Sequence, residues 1–202
     1  MATLSDEVKN FIKNTRGLDN AKTAATQWYR TVGKSQGDTS IQAYAGPFQP
    51  GKIYIFRYQN PVTKERLKEW DANPVVLSLG RVDGNDVGVN LNYLPQPIKL
   101  KILDRIYKSF GPKIQEQEAK KPGQAKAQKA ILSFDSNTIL KFLASAGLEY
   151  AIKRYVTNLR VKTVVVDASG WKYVPLLDLV QIKKTDIRKV QSGYSKYINK
   201  KK

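Results

Sequence analysis

The chain has 202 residues with no cysteine or histidine, and its 35 Lys and Arg against 17 Asp and Glu leave a formal charge of +18. That composition excludes disulfides, zinc fingers, thiol chemistry and any imidazole base or metal ligand. A pI near 9.9 points to a polyanionic partner, nucleic acid before an anionic membrane surface, because so much like charge opposes a compact state until something neutralises it.

Hydrophobic residues make up 41% of the chain and three are tryptophan, which suits a folded domain. The first residues, Met1 to Glu7, carry neither a basic stretch nor an apolar run, so they do not read as a signal peptide. No apolar run approaches the roughly 20 residues a bilayer span needs. The expectation is a soluble chain.

Leu4, Val8, Phe11 and Ile12 recur at helical spacing, with Ser5 as N-cap, Asp6 and Glu7 at the positive end of the dipole, and Gly17 as the stop. A second helix is predicted from about Asp19 to Val32, with Ala21, Ala24, Ala25, Trp28 and Val32 near one face. Gly33 to Pro50 reads as a linker. Residues 1–48 thus form a helical arm that docks on the body or on a partner. The sequence leaves that choice open.

The body, 49–182, opens with Ile53 to Tyr58, an alternating β-branched and aromatic run. Val75 to Leu79 predicts a short buried strand. Asp83-Gly84-Asn85-Asp86 has hairpin-turn chemistry, and Val87 to Leu91 returns as the next strand, so 51–95 reads as an antiparallel meander. From Pro97 the period becomes helical: Ile98, Ile102, Leu103, Ile106, Tyr107 and Phe110 form a stripe, with Lys99, Lys101, Arg105 and Lys108 off it. Gly111-Pro112 is expected to stop that helix, and Lys113 to Lys129 to form an exposed loop. Helices then resume after a cap at Asp135 or Ser136 and continue through Leu148, Ile152, Tyr155, Val156 and Leu159, so that 97–159 is the helical part. Strands return over 160–182: Val161 to Val166, then Trp171 to Pro175 and Leu179 to Ile182. Residues 183–202 are a basic tail with eight Lys or Arg against one Asp.

The fold class that follows is α+β: a small, strongly bent, barrel-like antiparallel sheet of about five strands, with a helical insertion between its halves and an N-terminal helical arm.

Enzyme signatures are missing from the sequence. It has no Gly-rich phosphate loop and no nucleophile elbow. Asp83 and Asp86 read as turn residues and Asp71 as a residue before a loop; none has the spacing of a two-metal centre. The expectation is a non-enzyme with no cofactor and no metal. The basic residues carry more information. Arg57, with Lys64, Arg66 and Lys68, forms one cluster, and Lys153, Arg154, Arg160 and Lys162 form a second. The tail residues Lys183, Lys184, Arg188, Lys189, Lys196, Lys200, Lys201 and Lys202 make a third, with Tyr194 and Tyr197 between them. Charges spread in this way suit contacts to phosphates and not to base edges. Tyr54, Phe56, Tyr58 and Tyr93 offer a base-stacking platform, although three aromatics on one strand face more often pack a core. Trp70 and Trp171 read as core or interface anchors.

Two stretches resemble a known family. They are Gly51 to Pro61, followed by Glu69-Trp70-Asp71-Ala72-Asn73-Pro74-Val75-Val76, and Gly88-Val89-Asn90-Leu91-Asn92-Tyr93-Leu94-Pro95. Both are similar to small virion proteins of T4-like tailed phages, whose pattern includes G-x-x-Y-x-F-x-Y-x-P and G-x-N-x-H-Y-L. Ile152-Lys153-Arg154-Tyr155 and Trp171 to Leu177 extend the similarity, which spans about Gly51 to Ile182 with gaps. Asn92 stands where that pattern has histidine, and Trp70 where it tends to tyrosine. The resemblance implies a virion-associated protein, in the host cytoplasm during assembly, and within that class the protection of packaged genome ends. It implies no catalytic residue.

The expected function is therefore binding of double-stranded DNA through phosphates, capping genome ends. Other phage virion proteins are expected as partners, with no membrane involved and a homo-oligomer left open. The alternative is a structural head or neck (connector) subunit with a basic DNA-facing surface. A third reading is a general RNA-binding protein.

Overall fold

A computed structural model describes residues 3–34, 44–58, 71, 73–120 and 134–177, with only the backbone described for 33–34 and 109–120. Five strands form one antiparallel sheet: β1 (Ile53–Tyr58), β2 (Val75–Val82), β3 (Asn85–Asn90), β4 (Ile152–Tyr155) and β5 (Arg160–Val166), in the order β4-β3-β2-β1-β5. The strands on either side of the helical insertion share that sheet, as the sequence predicts, and the class is α+β.

The sheet is strongly bent but not closed. β1 and β4 are separated by two strands, a distance of about 14 Å in a flat sheet. Even so, the Tyr155 ring of β4 lies 5.3 Å from that of Tyr58 and 5.1 Å from that of Phe56, both on β1. The two edge strands are joined only by Val156 and the 3₁₀ turn Thr157–Leu159, a link short enough to require the curl. Bulges supply part of it. The register slips between Ser78 and Gly80 and again opposite Ile55/Arg57, where Lys162 takes a left-handed φ of 52°. Asp83 and Gly84, at φ 50° and 74°, make the two-residue β2–β3 turn that their chemistry predicts.

The concave face holds an aromatic interior of Phe48, Tyr54, Phe56, Tyr58, Val76 and Tyr155. Tyr54, Phe56, Tyr58 and Tyr93 are all buried, so the base-stacking reading of these four is overturned in favour of a core. Residues 44–50, read from the sequence as linker, are a strap over this interior. Tyr44 N–H donates to the Thr163 carbonyl at 2.8 Å, Gln49 N–H donates to the Tyr54 hydroxyl at 2.9 Å, and Phe48 stacks on Tyr54 at 4.1 Å.

The opposite face buries Ile53, Ile55, Val75, Leu77, Val89, Val164 and Val166 against the helices. α1 (Leu4–Asn14) is capped by Thr3 and not by Ser5, with a reciprocal Thr3–Asp6 capping box. It ends where Gly17, at φ 131°, donates back to Ile12. Leu4 and Val8 of α1, and Ala21, Ala25 and Val32 of α2 (Leu18–Lys34), belong to the sheet's own core. Of the two docking choices open in the sequence, the helical region therefore takes the body.

α3 (Gln96–Lys120) buries Ile102, Leu103, Ile106 and Tyr107 as predicted, but it runs on past Gly111-Pro112. Proline removes one hydrogen bond, and the Lys, Gln, Glu and Ala residues that follow are strong enough helix formers to continue. Only Lys121 to Lys129 of the expected loop lies outside the described residues. Lys99, expected off the stripe, is buried and donates to the Leu177 carbonyl at 2.5 Å. α4 (Ser136–Ser145) is capped by Asp135 and stopped by Gly147 at φ 65°.

Two further expectations are corrected. Residues 148–159 do not continue a helix; they form a 3₁₀ turn, β4 and a second 3₁₀ turn. Residues 168–176 are 3₁₀ turns and not strand, with Trp171 buried in the core. Leu179 to Ile182 lie outside the described residues. Among the described residues no helix is long and apolar enough to cross a membrane.

Two consequences can be measured. A Cβ on Gly88 would sit 2.3 Å from Val76 Cγ1 and 2.7 Å from the Leu77 carbonyl oxygen, one a packed interior atom and the other backbone. Gly88→Ala is expected to cost about 1–3 kcal/mol in urea unfolding; a loss under about 0.5 kcal/mol would mean that β2 can yield. Burial also raises the phenol pKa of Tyr155, Tyr54 and Tyr29 above the ordinary 10. Above about pH 10 the unfolded chain releases protons that the fold retains, so stability, fully present below that pH, falls as pH rises. The slope is about 1.4 kcal/mol per unit per tyrosine. The urea midpoint is expected to fall from about pH 10 upward, and a flat midpoint there would contradict the burial of these phenols.

Candidate nucleic-acid interface

The β4–β5 junction gathers the predicted residues that the structure describes. Arg57 ends β1 exposed, Lys153 and Arg154 lie on β4, Arg160 and Lys162 begin β5, and the β2–β3 turn lies alongside. Arg154 Nη1 is 3.4 Å from Asp83 Oδ2 in an exposed pair, worth little in water and open to a competing anion. Lys153 is half-buried, its ammonium 5.0 Å above the Tyr93 ring. Lys162 is held outward by its bulge. Lys64, Arg66, Lys68 and all eight tail cations lie outside the described residues.

Arg160 does a different job. Its side chain is 2% exposed and Nη2 sits 2.9 Å from Oδ2 of Asp86, whose side chain is fully buried. The guanidinium lies 4.1 Å over the Phe48 ring, and Nη2 also donates to the Gly46 carbonyl. Burial lowers its pKa, and Asp86 opposes that shift. Nε and Nη1 are buried with no hydrogen-bond partner. Arg160 is therefore a fastener of the strap and is removed from the set of exposed contacts.

Asp86, read from the sequence as a turn residue, anchors this end of the sheet. Its Oδ1 accepts from Phe48 N–H at 3.0 Å and lies 3.5 Å from Arg81 Nε, while Oδ2 accepts from the Thr157 hydroxyl at 3.0 Å. Arg81, at 42% side-chain exposure, also donates to the Gly84 carbonyl and to Thr157 Oγ1. Sequence reasoning missed Arg81. A two-residue turn at Asp83-Gly84 places Arg81 directly opposite Asp86, so the signal was present in the turn chemistry.

Three of the four most exposed large hydrophobics among the described residues lie at strand ends about this junction: Val82 at 45%, Val156 at 42% and Val161 at 40%. Val82 lies between Arg81, which reaches Thr157 beside Val156, and Asp83, which pairs with Arg154. Val156 N–H donates to the Tyr58 hydroxyl at 3.1 Å, and Val161 lies opposite Arg57 in the ladder. Exposed cations also stand on the helical side, among them Lys9, Lys13, Arg16 and Lys141, and Leu18 there is 42% exposed.

The motif residues behind the family resemblance meet elsewhere. Asp71 Oδ2 accepts from Asn90 Nδ2 at 3.0 Å and from Asn92 Nδ2 at 2.8 Å, and Oδ1 accepts from Asn73 N–H. Tyr29 of α2 donates to the Asn73 carbonyl. The carboxylate ties the start of β2 to the exit of β3 and the Tyr29 hydroxyl ties α2 to the same segment, so the motif is a structural fastener. A histidine N–H at position 92 would be able to make the bond that the Asn92 amide makes.

Fold and surface together define a basic α+β domain built on an open, barrel-like sheet, with Arg57, Arg81, Arg154 and Lys162 exposed about its β4–β5 junction. The sequence profile of the family described as Phage T4 terminal DNA protecting protein matches residues 1–194, and the chain belongs to that family. No curated protein and no solved structure matches it. The family supports a phage protein concerned with the protection of DNA ends.

Proposed function

We propose that this chain protects double-stranded DNA ends without catalysis, by occupying them through phosphate contacts. Arg57, Arg81, Lys153, Arg154 and Lys162 supply those contacts from the barrel end, and the tail cations Lys183, Lys184, Arg188, Lys189, Lys196 and Lys200 to Lys202 add to them. The observation that carries this reading is membership of the end-protecting family in a chain of charge +18, with Arg57, Arg81, Arg154 and Lys162 exposed about the β4–β5 junction. Phosphate contacts release counterions, so affinity falls steeply with salt. Protection then follows from steric exclusion of a nuclease. The chain acts in the virion and in the host cytoplasm during assembly, alongside other virion proteins.

The test titrates purified protein against a linear duplex and the same sequence as a closed circle across a salt series, followed by exonuclease digestion of the linear form. Tight, salt-sensitive binding to the linear form with slowed digestion supports the proposal. Equal binding to the circle would favour a head or neck subunit that faces DNA along its length. A preference for RNA would favour the third reading, and binding to neither would refute the proposal.

A further inference from the structure

Val82, Val156 and Val161 are each 40–45% exposed. A basic surface made only for phosphates would carry polar residues between its cations, as charged interfaces usually do. Here Val156 and Val161 flank the Thr157–Leu159 turn and Val82 ends β2 next to Asp83, with Arg57 opposite Val161, Arg154 paired to Asp83 and Arg81 reaching Thr157. Side chains of this type are stiff at χ1, so covering them costs little conformational entropy. The ligand that suits them has a flat apolar face with anionic groups around its rim.

We propose that Val82, Val156 and Val161 seat the terminal base pair of a flush-ended duplex, while Arg57, Arg81, Arg154 and Lys162 reach the phosphates next to that end. This rests on the end-protection reading above and adds what makes an end different from the rest of the duplex. Inside a duplex both faces of every base pair are stacked. Only at a terminus does one face meet water, and covering it removes apolar surface from solvent. A phosphate-only surface would bind duplex interiors as well as ends. Adding an apolar seat gives preference for a terminus without reading any base edge, consistent with protection that ignores sequence. The complementary charge selects nucleic acid over an apolar protein surface. Arg154 is held only by an exposed pair with Asp83, so a phosphate can take it.

The test compares a flush-ended duplex of about 20 base pairs with the same duplex closed at both ends by hairpin loops, which hides the terminal faces and keeps the duplex phosphates. Affinities are measured for the wild-type protein, for Val156→Ser/Val161→Ser, and for Val156→Ile/Val161→Ile. Both double variants are neutral changes at exposed positions, and melting temperatures confirm that the fold is kept. The expected result is at least a ten-fold wild-type preference for the flush duplex, falling towards one in the serine variant and persisting in the isoleucine variant. Affinity of the serine variant for the closed duplex and its salt dependence are expected to stay unchanged. An unchanged preference in the serine variant would overturn the apolar seat while leaving end protection standing. Parallel loss on both DNAs would also overturn it, by making the patch a general contact or a protein-docking surface. If the wild type binds neither DNA, the underlying reading fails as well.

Discussion

Replacing Asp86 with alanine is expected to lower the unfolding free energy by about 3–5 kcal/mol, the range typical of breaking a buried ion pair from one side. The carboxylate is fully buried and receives Phe48 N–H, the Thr157 hydroxyl and two arginines. The partners do not suffer equally. Arg81 is 42% exposed and can turn to water, whereas Arg160 is 2% exposed and already has two nitrogens without hydrogen-bond partners. Asp86→Ala would leave a buried guanidinium uncompensated, and most of the cost arises there. The double variant Asp86→Ala/Arg160→Met removes that charge and is expected to recover much of the loss. Urea unfolding of both variants tests this. A single-variant loss under about 1 kcal/mol, or no recovery in the double variant, would show that the Arg160–Asp86 pair does not hold the strap to the barrel.

The second large effect concerns DNA. Arg57, Arg154 and Lys162 are exposed, so their replacement by alanine should alter stability by no more than about 0.5 kcal/mol each. If each neutralises one phosphate, the triple variant loses three counterion-releasing contacts. The slope of log affinity against log salt then becomes shallower by about 2.7, and affinity falls about a hundred-fold near 0.15 M salt. Removing Lys9, Lys13 and Lys141 from the helical side is expected to leave the slope close to that of the wild type. Fluorescence anisotropy over a salt series separates these outcomes. Equal loss from both triple variants would mean that DNA is held by net charge and not by the barrel end.

The two variants divide the basic cluster read from the sequence into separate roles. Lys153, Arg154, Arg160 and Lys162 are near neighbours in the chain, and charge counting treats them alike. Strand alternation does not. Arg160 lies opposite Tyr58 and points into the concave face, while Val161 and Lys162 emerge at a bulge. Asp83 and Asp86 separate in the same way: the first stays on an exposed turn, and the second is drawn inward by the two-residue turn geometry.

The sequence alone determined the features that depend on local physics. Alternation defined β1, turn chemistry defined the β2–β3 hairpin, helical periodicity defined α1, α2 and the buried stripe of α3, and composition defined a polyanion-binding class. Tertiary structure decided whatever depended on a distant partner. Residues 152–155 have apolar spacing that suits a helix, but Val87, Gly88 and Val89 of β3 offer a ladder edge more than sixty residues away in the chain, and that edge makes them β4. Trp171, Tyr173 and Pro175 alternate like a strand, yet they turn because Asp167 caps Gly170 and the helices provide the packing surface. In the sequence Val161 reads as a strand residue and Val156 as part of a helix face, and neither reading marks them as exposed. Their convergence with Arg57, Arg81 and Arg154 follows from the bend that brings both sheet edges to one short turn, and a bend of that kind is set by contacts between elements, which no local window of the chain contains.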